Sequence, residues 1–179
     1  ASGDDRASEE VRKVWASVWN WRAFEERAFW GIDHRGVRMG VAVHPSYPDE
    51  QCNGVLLTTN VADFTVAGFY VNVQKGEVAV TNPADGAIPE VFSIVEAPGG
   101  GVQPIRQRLS TLSPDAPLMT DAEIATLYTA AAKVQQHFAP LYGVPAYDFA
   151  LDLEFKLHGP ERQLIIKQAR PYHDSGDNR

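Results

Sequence analysis

Residues 150–172 read ALDLEFKLHGPERQLIIKQARPY, and the pattern inside this stretch sets the architecture of the chain. Apolar and polar residues alternate from Tyr147 to Leu157. Turn formers interrupt at His158-Gly159-Pro160-Glu161, and Gln163 to Ala169 resumes an apolar, β-branched run. Two such runs around a short Gly/Pro-containing break predict a local antiparallel hairpin. On an extended strand residues two apart share a face, so Asp152 and Glu154 point the same way, as do Gln168 and Arg170 on the partner strand. Two carboxylates, an amide and a guanidinium on one face can hold a divalent cation and a polyphosphate bridged by it. Magnesium takes carboxylate and phosphate oxygens together, and arginine reads phosphate through a planar fork. The same residue types also make ordinary cross-strand ion pairs on a solvated sheet face, and the spacing leaves both readings open.

Upstream of the hairpin, Thr120 to about His137 carries the clearest helical signal. Thr120 and Glu123 stand at capping-box spacing, and Ile124, Leu127, Tyr128, Ala131, Val134 and Phe138 follow at helical intervals. Near the start of the chain, Val11, Val14, Trp15, Val18 and Trp19 mark an amphipathic helix over 9–19. A second helix is expected from Trp21 to Trp30, with Trp21, Phe24 and Ala28 inward and Arg22, Glu25, Glu26 and Arg27 outward. Apolar runs at Arg38–Val43, Gly54–Thr59 and Phe69–Gln74, with no helix between them, predict an antiparallel meander. A shorter apolar stretch covers Val91–Val95, and residues 45–53, 81–89 and 97–104 have the composition of loops. Strands and helices mix without βαβ alternation, so the fold class is α+β, mainly antiparallel sheet with packed helices.

Composition narrows the chemistry. The 179 residues suit about one domain, and 44% AVILMFWYC residues with 22% charged residues describe a globular chain. Sixteen Lys plus Arg against 23 Asp plus Glu leave a net charge of −7, with pI ≈ 5.2. That balance argues against nucleic acid and against an acidic membrane surface as partners. No run of 18 apolar residues offers a membrane span, and the first residues lack the apolar core of a secretory signal. Cys52 is the single cysteine, so neither an internal disulfide nor a cysteine zinc site is readable, and a reducing, cytoplasmic location is expected.

Other residues invite weaker readings. His44, before Pro45, is expected to be a turn residue rather than a general base. Gly99-Gly100-Gly101 lacks a phosphate loop's GKS/T ending and is expected to be a flexible connector. Cys52 sits among acidic neighbours that would raise a thiol pKa, which argues against a nucleophile. Trp15, Trp19, Trp21 and Trp30 are expected in the core. Asp33-His34 and His173-Asp174 have no spacing that assigns them to a metal.

The hairpin ALDLEF…LIIKQARPY resembles the closing DIEW/DIEF…LYILQARP signature of the ATP-binding domain of phosphoenolpyruvate synthase and pyruvate phosphate dikinase. VRKVWASVWNWRAFEERAFWGID is similar to that family's helical vWaSlfn.RAi.YR stretch. NGVLLTTN resembles its SGVmFT strand, and LMTDAEIATLYTAAAKVQQHF resembles the helix before its metal-binding strand. The likeness runs in order over most of residues 10–172.

It implies an ATP-grasp fold, in which two α+β subdomains clamp MgATP and a phosphoryl group passes to a histidine on another domain. By this resemblance Asp152 and Glu154 are the acidic pair near magnesium and ATP, Gln168 is a nucleotide-site glutamine, and Arg170 contacts phosphate. Glu77, with a one-residue shift, matches a glutamate approaching the nucleotide. Arg22 and Arg27 fall on the family's RA…YR arginines, where they would assist a phosphate or support a subdomain interface; the alternative is ion pairs with Glu25 and Glu26. Where the family has a VQ-x-M adenine wall, this chain has VAVHPSYPDEQ.

The family's upstream subdomain, with its phosphate-gripping lysine and arginine, and its phosphohistidine domain lie outside these residues. Residues 9–172 are therefore expected to form the C-terminal part of an ATP-grasp domain, flanked by disordered ends at 1–8 and 173–179, and to catalyse no full turnover alone. The alternative function is a degenerate, non-catalytic remnant serving as a regulatory or interaction domain.

Overall fold

A computed structural model describes residues 3–45, 47, 49–81 and 86–172, with the side chains of 3–5 excluded. Contacts divide the chain into two units, Ala1–Ser46 and Tyr47–Arg179. The expected tail at 173–179, with His173-Asp174, lies outside the described residues.

The first unit holds helices α1 (Gly3–Ser17) and α2 (Trp21–Phe29). The first helix starts and ends earlier than the 9–19 periodicity implied. Asn20 closes the gap between the two by accepting a hydrogen bond from Ala23 N–H at 2.8 Å, an N-cap that satisfies one orphan donor of α2. Arg22, Glu25 and Glu26 of α2 face outward as expected, but its inward face differs from expectation. Arg27 is buried, while Phe24 and Ala28 are exposed. Arg27 Nε donates to His34 Nδ1 at 3.2 Å rather than pairing with Glu25 or Glu26, and its guanidinium lies over the Trp19 ring at 5.4 Å.

Nor are the tryptophans core residues: Trp15, Trp19, Trp21 and Trp30 are 53–72% exposed. Two short helices cannot surround four indoles, so helical spacing alone did not guarantee a layer to bury them. Arg38–Val43 forms no strand. Its β-branched residues favour extended structure only where a ladder and a packing partner receive them, and Val43 is 86% exposed.

The second unit is one antiparallel sheet in the order β4-β3-β2-β1-β5-β6. Its strands are β1 (Glu50–Leu57), β2 (Phe69–Lys75), β3 (Glu90–Glu96), β4 (Val102–Arg108), β5 (Leu151–His158) and β6 (Gln163–Pro171). The first strand begins inside the stretch expected to be a turn. The fourth was expected to be loop up to residue 104, because Val102–Arg108 is polar and contains Pro104. An edge strand tolerates both features, since a proline there loses no donor that a second neighbour would need. The glycine triplet is a tight hairpin turn into β4, with Gly99, Gly100 and Gly101 at φ 100, 102 and 78. Side-chain-bearing residues adopt such values rarely.

Helix α3 (Asp121–Phe138) covers one face of the sheet. Ile124, Leu127 and Ala131 pack with Leu56, Val71, Val73, Phe92, Ile94 and the alternate β5 residues Leu151, Leu153, Phe155 and Leu157. Full burial of each large side chain contributes about 1.5–3 kcal/mol. The helix start is pinned as its sequence predicts. Thr120 N–H donates to Glu123 Oε2 at 2.7 Å and Glu123 N–H donates to Thr120 Oγ1 at 3.3 Å. Arg162, from the β5–β6 turn, donates to the same carboxylate at 2.5 Å and to Leu118 O at 2.7 Å. No helix among the described residues is long and apolar enough to cross a membrane.

Partial burial pushes the Glu123 carboxyl up, but hydrogen bonds from Arg162 and Thr120 outweigh it and hold the carboxyl below its usual range. The stability this supplies is fully present above the unfolded pKa of about 4.3 and is lost as pH falls through the lower folded value. Thr120→Ala should cost about 1 kcal/mol in urea unfolding at neutral pH. In a Glu123→Gln variant the deficit relative to the parent should shrink below about pH 4.3.

Candidate functional site

Alternation along β5 sends Leu151, Leu153 and Phe155 into the core, and therefore Asp152, Glu154 and Lys156 to the opposite face. The register places Asp152 directly across from Arg170 and Glu154 directly across from Gln168. These four side chains thus share one face of the hairpin. On the other side of β5, Leu57 stands opposite Asp152 and Val55 opposite Glu154, giving the polar group a half-buried aliphatic border.

Arg170 grips a single oxygen of Asp152, with Nε donating to Oδ2 at 2.9 Å and Nη2 at 2.6 Å. The hydrogen bond, then the carboxylate charge, hold the Arg170 pKa above that of an ordinary arginine, so it stays a cation. A purely structural cross-strand ion pair would have this geometry too. Two further features go beyond such a pair. Asp152 Oδ1 is buried with no hydrogen-bond partner, and the exposed Glu154 carboxylate makes no hydrogen bond or ion pair among the described residues. An unmet buried carboxylate oxygen costs free energy that a cation or a donor can recover.

A cavity of about 340 Å³ opens beside Glu154, lined among others by Asn53, Glu77 and Lys167. Glu77 lies in the turn after β2, and Asn53 holds that turn in place, its Nδ2 donating to Gly76 O at 2.6 Å and Val78 O at 3.0 Å. Lys167 arrives through a β-bulge. The pairing steps from Glu154↔Gln168 to Phe155↔Ile166, leaving Lys167 as the extra residue. Sequence reading missed Lys167 as a site residue because strict alternation would send it to the face opposite Gln168. The only signal was a lysine ending the apolar run Leu164-Ile165-Ile166.

Lys156, also unanticipated, is buried on the same face as Glu154. Its ammonium donates to Tyr47 O at 3.1 Å and pairs with Glu50. That pairing consumes both charges, so among the described lining residues Lys167 is the cation left facing the cavity. Cys52 plays no part in the site. Burial raises its thiol to about 11, which leaves it protonated at neutral pH.

The face of the β5–β6 hairpin thus gathers two carboxylates, an amide and a guanidinium, with a lysine-bordered cavity beside Glu154. The chain belongs to the pyruvate phosphate dikinase AMP/ATP-binding domain family, whose model matches residues 1–179. It is 26% identical to a phosphoenolpyruvate synthase of Aeropyrum pernix, in an alignment covering 94% of this chain and 25% of the relative. It is 25% identical to a probable phosphoenolpyruvate synthase of Pyrococcus horikoshii, covering 94% of this chain and 22% of that relative. The chain thus spans about a quarter of the length of these relatives.

Proposed function

We propose that this chain binds MgATP on the open face of β1, β5 and β6, as the C-terminal, ATP-grasp-like lobe of a phosphotransferase of the phosphoenolpyruvate synthase type. In this reading the nucleotide is positioned for phosphoryl transfer to a histidine on another domain. The observation that carries the proposal is the pairing of an orphaned, buried Asp152 Oδ1 with a Glu154 carboxylate two residues away that makes no hydrogen bond among the described residues. Family membership supports ATP as the ligand.

The donor set fits magnesium brought in with a nucleotide. No group of three His, Cys, Asp or Glu side chains that could hold a metal exists among the described residues, and magnesium commonly completes its shell from one or two carboxylates, water and substrate phosphates. When bound, magnesium supplies charge neutralisation at the transferring phosphate. Asp152 and Glu154 hold its protein side. Arg170, whose Nη1 takes no part in the Asp152 pair, contacts a phosphate oxygen, and Gln168 and Glu77 approach the nucleotide. Chemistry of this kind needs positioning and electrostatics but no resident nucleophile.

A second reading, a non-catalytic regulatory or interaction domain, draws on the fact that Arg170 already neutralises Asp152. Calorimetric titration of the full-length protein with ATP, in magnesium and in EDTA, separates the two. The nucleotide reading expects saturable binding that weakens at least about tenfold without magnesium, the equivalent of about 1.4 kcal/mol. No saturable heat, or equal affinity in both buffers, would overturn it.

A further inference from the structure

We infer that a second cleft, separate from the carboxylate cavity, binds a small organic ammonium ion. The cleft has a volume of about 410 Å³ and shares no lining residue with the cavity beside Glu154. Phe64, Phe69, Tyr128 and Tyr147 line it, and Glu96 is its only charged lining residue among the described residues. An adjoining cleft of about 500 Å³, also bordered by Glu96 and Tyr128, has no other charged lining residue among the described residues either. The electrostatics of both therefore favour a cation, with no lysine, arginine or histidine among the described lining residues to compete for the carboxylate.

The aromatic walls are of two kinds. Phe69 and Tyr128 are anchored against each other, ring centroids 4.6 Å apart, while Phe64 and Tyr147 are 73% and 86% exposed at the rim. Three of the other polar lining residues are committed elsewhere. Thr58 Oγ1 accepts from Leu151 N–H at 2.9 Å, Gln135 donates to Phe149 O at 2.7 Å, and Asn60 bridges Ser93 and Val66. Glu96 has no hydrogen-bond or ion-pair partner among the described residues, and its charge helps raise the Tyr128 phenol above its ordinary value, behind desolvation as the larger cause.

Aromatic faces carry negative electrostatic potential and attract alkylammonium groups, most strongly where water is excluded. The volume lies within the usual range for small-ligand sites. A quaternary or alkylated ammonium head seated between the rings, with Glu96 as counter-ion, satisfies both the exposed aromatic surface and the unmatched charge.

The test compares choline with its neutral isostere 3,3-dimethylbutan-1-ol by NMR titration of the full-length protein. Choline is expected to bind saturably, moving aromatic resonances of Phe64, Tyr128 and Tyr147, with the isostere at least about tenfold weaker. Glu96→Gln and Tyr147→Ala, both at exposed positions, should each weaken choline severalfold without altering the melting temperature. Equal binding of the two ligands, absence of saturation, or unchanged choline affinity in both variants would overturn the inference. None of these outcomes bears on MgATP binding, which involves different residues.

Discussion

Glu154→Gln is expected to weaken MgATP binding by at least about tenfold while leaving the melting temperature unchanged. Both halves follow from its surroundings. The carboxylate is exposed, makes no hydrogen bond among the described residues and acts on Arg170 only through its charge, at a solvent-screened position, so the fold depends little on it. Exposed substitutions away from caps and paired networks usually stay within about 0.5 kcal/mol. Binding does depend on it, because glutamine keeps the shape but loses the anion that a hard divalent cation requires. Asp152→Asn makes a contrast. That carboxylate is held by Arg170, so the substitution disturbs an ion pair as well as the proposed metal side of the site, and a change in binding could not be assigned cleanly. Calorimetry and thermal melting on the parent and Glu154→Gln proteins decide the matter. Equal heats of MgATP binding would remove Glu154 from the site.

Phe155→Ala is expected to cost about 3–5 kcal/mol, the range for large aromatic truncations in a core. Phe155 is 1% exposed and stacks over Gly54 so closely that a Cβ at that position would lie 2.4 Å from the Phe155 ring and 2.8 Å from Asn72 O. Gly54 is therefore there to admit the ring rather than to permit an unusual backbone angle. Gly54→Ala in the parent should cost about 1–3 kcal/mol by overpacking. In the Phe155→Ala background its cost should fall, because the ring that it strikes is gone, though the contact with Asn72 O remains. A double-mutant cycle by urea unfolding measures this coupling. Additive costs would show that the two positions do not share one packing constraint. Since Phe155 adjoins Glu154, the same packing fixes the strand that carries the site.

Much of the fold was legible where local signals and tertiary context agree. The capping box at Thr120 and Glu123, the apolar stripe of α3 and the hairpin around residue 160 each depend on neighbours close in sequence, and each appears as read. The class, α+β with a mainly antiparallel sheet, followed from the same signals. That 152, 154, 168 and 170 share one face of a hairpin was also implicit in the two-residue spacing, whereas their exact register across it was set by the bulge after Glu154.

The misreadings share one cause. Arg38–Val43, the tryptophans and the inward face of α2 were judged by apolar composition, but burial requires a second surface, and neither helix of the first unit supplies enough of one. Edge strand β4 was missed for the converse reason: its polarity and proline are tolerated because only one neighbour pairs with it.

The sequence by itself determined that Asp152 and Glu154 share one face of β5, and Gln168 and Arg170 one face of β6, since alternation along a strand is a local geometric rule. Only the tertiary structure decided which of them remain unsatisfied. Arg170 takes Oδ2 of Asp152 and leaves Oδ1 buried, Glu50 and Tyr47 claim Lys156, and a bulge turns Lys167 toward Glu154. Those outcomes depend on register, bulge position and partners far along the chain, and no local pattern encodes how a charge is shared once the chain has closed around it.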